Sequence, residues 1–100
     1  MNCNNTAYLG TEVKFRVRIT AEGFDQDTDN WAVTISNGSR YHTFEKADCI
    51  HNLDGWFVCF DTTDFGTGLY RATIAAYIPD TDFPDGTRTE IRVTDLILVK

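Results

Sequence analysis

GFDQDTDN, residues 23–30, sets Asp25, Asp27 and Asp29 at alternate positions, as the first half of a calcium loop does. Hard cations take such oxygen ligands, but a helix-flanked loop also needs glycine at its sixth position and a bidentate glutamate at its twelfth. Those places hold Asn30 and Ser36. The expectation is therefore no metal and an acidic connection whose side chains cap its own backbone. Asp25, Asp27 and Asp29 are the residues to inspect should a cation bind. A second acidic stretch, IPDTDFPDGTR, carries Asp80, Asp82 and Asp85, and could share a cation only if the fold brings it beside the first.

Cys49, His51 and Cys59, with His42 as a fourth, have the right elements for zinc. Their spacing fits neither a paired-cysteine knuckle nor a finger, and Cys59 falls inside an expected core strand. A Cys49–His51 nucleophile pair has no orienting partner and no oxyanion donors. Asp61 and Asp64 within DTTDFGTG form a capped turn rather than a catalytic carboxylate pair. Trp31 and Trp56 fall in phase with apolar neighbours and are expected in the core. Tyr77 and Phe83 flank a loop held by two prolines and are expected at an exposed contact. No cofactor is implied.

Acidic residues outnumber basic ones by 15 to 9, for a net charge of -6, which repels phosphate backbones and argues against nucleic acid as a partner. Lys14, Arg16 and Arg18 alternate with apolar residues, as the wet face of a strand does. MNCNNTAYLG lacks a basic segment followed by an apolar one, and no apolar run is long enough to cross a bilayer. A cytoplasmic origin without membrane attachment is expected. Three cysteines, Cys3, Cys49 and Cys59, cannot pair completely and match no disulfide framework, so free thiols are expected, with Cys59 shielded until unfolding.

The elements around these residues are strands. EVKFRVRIT and WAVTIS alternate with period two, and NGS after the second signals a hairpin into RYHTFEK. GWFVCFD is apolar on both faces and so central. GLYRATIAAYIP places Tyr70, Ala72, Ile74, Ala76 and Ile78 on one side. TRTEIRVTDLILVK alternates through Val93, with Glu90, Arg92 and Thr94 on a wet face, then becomes apolar on both faces after Asp95, where a bulge is expected. A short strand near Thr6–Leu9 completes about seven, and KADCIHN supplies one helical turn at most. The fold expected is all-β: a small antiparallel sandwich, one domain over residues 1–100.

From GWFVCFD to PDGTR the pattern goes beyond composition. An Asp54-Gly55 entry, a capped turn, Gly68-Leu69-Tyr70 opening a long strand and a Pro-Asp-Gly loop resemble the immunoglobulin-like modules at the N-terminus of phage baseplate upper proteins, and small virion proteins of phages and prophages of gut Bacteroidetes. The resemblance covers residues 11–99. It implies an immunoglobulin-like sandwich and a non-catalytic virion structural protein, a baseplate, tail or head-fibre adaptor. Such a protein is made in the bacterial cytoplasm, sits in the virion and works through contacts with other virion proteins. The sequence departs from that pattern by ending at Lys100, so a free-standing accessory or adaptor subunit is expected rather than a whole tail fibre.

Leu96, Ile97, Leu98 and Val99 have no polar face. A last strand usually lies at a sheet edge, so these four, with Tyr77 and Phe83, are the expected partner-binding residues of a homo-oligomer, a trimer or dimer. The alternative function is a carbohydrate-binding or adhesion module on the same architecture, marked by an exposed coplanar pair of aromatic rings beside Asp or Asn.

Overall fold

The computed structural model describes residues 6–100. In chain order the strands are β1 (Thr6–Ala7), β2 (Glu12–Val17), β3 (Asn30–Ser36), β4 (Tyr41–Glu45), β5 (Ile50–Asn52), β6 (Gly55–Asp61), β7 (Gly68–Pro79) and β8 (Thr87–Val99). They form a five-stranded sheet, β1-β8-β7-β3-β4, and a three-stranded sheet, β2-β6-β5. Pairing is antiparallel everywhere except between β1 and β8. The two sheets pack as a small all-β sandwich, and their strand order is that of the immunoglobulin fold.

Period-two patterning explains which side of each strand is buried. Val17 on β2, Trp31, Val33 and Ile35 on β3, Val58 and Phe60 on β6, and Tyr70, Ala72, Ala76 and Ile78 on β7 meet in one core. Each large side chain fully removed from water there contributes about 1.5–3 kcal/mol. Two features of this core belong to immunoglobulin-like domains in particular: a buried tryptophan on the third strand, and a tyrosine corner. Trp31 is 1% exposed, with its indole N–H donating to the Gln26 carbonyl at 2.9 Å. Tyr70, at the start of β7, turns its hydroxyl back onto the carbonyls of Thr62 at 3.0 Å and Gly66 at 2.5 Å. Two residues beyond such a tyrosine, antibody domains place a cysteine; here the fully buried Ala72 stands there.

The short elements depart from expectation. Residues 46–52 hold one 3-10 turn, Lys46–Asp48, followed by the three-residue β5, which raises the count to eight strands among the described residues. The hairpin after β3 forms where expected, but only Gly38 takes a positive φ, at 95°. Asn37 contributes its side chain instead, its amide oxygen accepting from the Arg40 N–H at 2.9 Å and its amide N–H donating to the Phe65 carbonyl at 2.6 Å.

β8 carries the largest difference. Tyr70 pairs with Ile97 but Arg71 pairs with Asp95, so the register shifts at Leu96, beside the residue where a bulge was expected. Directly opposite residues share a face. The shift therefore puts Arg88, Glu90 and Arg92 on the inward side, opposite Ile78, Ala76 and Ile74. There Arg88 binds Asp80 and Glu90, and Arg92 binds Glu90 at 2.7 Å. These charges border the core flank at Ile19 and Ala21. Ile91 and Val93 consequently point outward, each 63% exposed. Glu90, Arg92 and Thr94, the expected wet face, thus lie on the core's side of β8, where Arg92 and Thr94 are nonetheless exposed.

Candidate binding surfaces

Asn30 pairs with Tyr77, so the β2–β3 connection and the β7–β8 loop lie at the same end of the sandwich. Arg88 spans them, bonding the Asp80 carboxylate at 3.2 Å and the Glu22 carbonyl at 3.5 Å. The two acidic stretches are neighbours, yet their carboxylates serve their own loops. Asp25 accepts from the Asp27 N–H, Asp29 from the Asp25 N–H, and Asp80 from the Asp82 N–H, at 2.8–3.0 Å. Among the described residues no group of three or more His, Cys, Asp or Glu side chains is placed to hold a metal ion.

Asp27 looks the other way. Its Oδ1 accepts from the Trp56 indole N–H at 2.9 Å and lies 3.6 Å from His51 Nε2. The His51 ring stacks on Trp56 at 4.0 Å and 4°, while Trp31 meets Trp56 edge-on at 5.2 Å. Lys46 bonds the Asp27 and Asp29 carbonyls and holds its ammonium 5.4 Å from the Trp56 ring centre. This cluster joins the acidic loop to the β5–β6 hairpin, with Leu53 wholly exposed at the hairpin tip. Trp56, expected in the core, is half-buried and packs against the core's edge. Tyr41 and Tyr77 are exposed and make no ring contact with another aromatic among the described residues.

The expected shielding of Cys59 is overturned. Cys59 is exposed; its side chain leaves the outer face of β6 beside Lys14. Cys49 is half-buried, bonds the Glu45 carbonyl at 3.4 Å, and burial, with Asp48 and Cys59 nearby, pushes its thiol up to about 11. That keeps it protonated and a poor nucleophile. His42 rests edge-on against Phe44. Cys3 lies outside the described residues. Asp61 caps the 3-10 turn Thr62–Asp64 as expected, and the Thr63 N–H and hydroxyl hold its carboxyl below the usual range. Arg92 does the same for Glu90.

Of the expected partner-binding residues, Tyr77 and Phe83 are exposed, at 37% and 46%. Leu96, Ile97 and Leu98 are half-buried, with Leu96 and Ile97 packed on the core, and Val99 is 2% exposed inside it. β1 supplies the cover, pairing Thr6 with Leu98 and Ala7 with Val99. β8 is therefore not the outermost strand there, and Val99 is corrected from surface to core.

The outward apolar residues are Ile91 and Val93, beside Tyr77 and Ala75 on β7. Across β7 and β3 that face continues through Thr73 and Thr34 as far as the buried Ala32, and its Arg71–Asp95 ion pair, at 3.0 Å, lies at one side. The only sequence signal for this face was the expected bulge, which fixes the phase of everything before it.

No family model, curated protein or solved structure matches the chain.

Proposed function

We propose that this chain is a non-catalytic protein-binding module, an adaptor of a phage or prophage particle that docks other virion proteins on the outer face of its five-stranded sheet. The observation that carries the docking face is the outward placement of Ile91 and Val93, both 63% exposed. β-branched side chains spaced along an exposed strand on a flat face of alanines and threonines suit packing against another protein. The particle assignment rests on the sequence resemblance. Asp25, Asp29, Asp61 and Asp80 turn their carboxylates onto backbone N–H groups, which favours binding over catalysis.

The test is incorporation of a tagged chain into gradient-purified particles of the phage that encodes it. Wild type should travel with the particles, and Ile91→Ser/Val93→Ser should be lost from them while circular dichroism stays sheet-like. Surface substitutions of this kind shift stability by no more than about 0.5 kcal/mol each. Absence of the wild-type chain from particles sinks the assignment; equal incorporation of the variant sinks the face.

A further inference from the structure

We propose that the β5–β6 hairpin and the adjoining edge of β2 form a docking site for a second copy of this chain, in a two-fold symmetric contact. The site lies on the three-stranded sheet, away from Ile91 and Val93, so it does not rest on the reading above.

Arg16 and Arg18 leave the outer side of the β2 segment, and neither has an ion-pair partner among the described residues. Arg16 folds across the hairpin, its Nε 3.2 Å from where a Cβ on Gly55 would stand. Beside them, Asp54 is exposed and likewise without an ion pair, and Asp27 keeps a side chain 66% exposed. All four line one shallow depression of about 290 Å³. Leu53 rises at its rim, fully exposed.

A patch holding both charge signs side by side is complementary to itself under a two-fold axis. Residue i of one copy then meets residue j of the other, and j meets i. Arg16 and Arg18 of each copy would face Asp54 and Asp27 of the other, with the two Leu53 side chains shielded between them. The chain's net charge of -6 repels a second copy at long range. Pairing at this patch places both copies' unpaired arginines against carboxylates, which is the complementarity that fixes partner and register.

Sedimentation over about 1 µM to 1 mM, the range of weak self-association, tests the contact. Wild type should show a monomer–dimer equilibrium, and Leu53→Asp should weaken it on the order of tenfold or more. Arg16→Glu/Arg18→Glu should be a monomer, and so should Asp54→Arg. Mixed together, these two variants should form a dimer, because each then meets the opposite sign on its partner. Recovery on mixing also shows that both variants fold. Ile91→Ser/Val93→Ser should dimerise as wild type does, which separates this site from the docking face. A wild-type monomer throughout the range, dimers of the charge variants alone, or a mixture that stays monomeric would each overturn the proposal.

Discussion

At both ends of the sandwich an aromatic side chain ties a loop down with a hydrogen bond. Tyr70 does so at one end, bonding the Thr62 and Gly66 carbonyls while 0% exposed. Thr62, also fully buried, accepts the Gly10 N–H there at 2.9 Å. Trp56 does so at the other, half-buried, with an exposed Asp27 as its acceptor. The bonds are of similar length, but losing the first removes a donor inside the core, while losing the second returns both groups to water. Burial rather than bond count therefore decides which end holds the fold.

Tyr70→Phe should have the largest effect. Removing the hydroxyl takes a buried donor from the Thr62 carbonyl, which keeps the Phe65 and Gly66 N–H groups, and from the half-buried Gly66 carbonyl, and urea denaturation should show a loss of about 1–1.5 kcal/mol. Alkali should then load the protein through two protected protons. Burial raises the Tyr70 phenol above its ordinary 10.0, with Arg40 pulling the other way and Asp61 and Asp64 adding to the rise. Cys49 rises from 9.0 to about 11. In both cases the folded state keeps a proton that the unfolded chain has released, so the stabilisation is full below the unfolded value and declines as pH rises. Denaturation midpoints should fall between pH 9 and 11 in wild type, and less steeply in Cys49→Ser.

Trp56→Phe keeps an aromatic ring for His51, losing an exposed bond and the part of the indole that reaches beyond a phenyl ring toward Trp31 and Lys46; its cost should stay under about 1 kcal/mol. A loss as large as that of Tyr70→Phe would remove the distinction between the ends. The smallest effect concerns the thiols. Under native conditions alkylation should reach Cys59 before Cys49, and mass mapping of a short pulse reads the order; modification of Cys49 first would show that the flank beside β5 is open.

Long strands were legible because alternation reports burial directly. EVKFRV, WAVTIS and GLYRATIAAYIP carry that period, and Asp61 and Asn37 sit where turn chemistry demands. What escaped depends on neighbours distant in sequence. Cys59 sits in an apolar run that implies cover on both faces, yet it lies on the outer face of the three-stranded sheet and is exposed there. LILV lacks a polar face, and its cover is the two-residue β1, too brief to announce a pairing. Ile91 and Val93 alternate with charges in a pattern that fits either facing, and only the register against β7 decides between them. The Trp56–Asp27 tie joins residues 29 positions apart, with no local signature.

The register shift in β8 also sets how the strand tolerates changes in its length. Because the ladder already passes from Asp95 to Ile97 in one step of β7, the pairing on either side is the pairing of a strand one residue shorter. Deleting Leu96 should then cost the burial of one leucine while leaving Arg88, Glu90 and Arg92 turned inward and Ile91 and Val93 turned out. Inserting a residue at the same place would have to widen the bulge or reverse every side chain upstream of it. The strand is thus tolerant of shortening and intolerant of lengthening, an asymmetry that no single side chain on it would reveal.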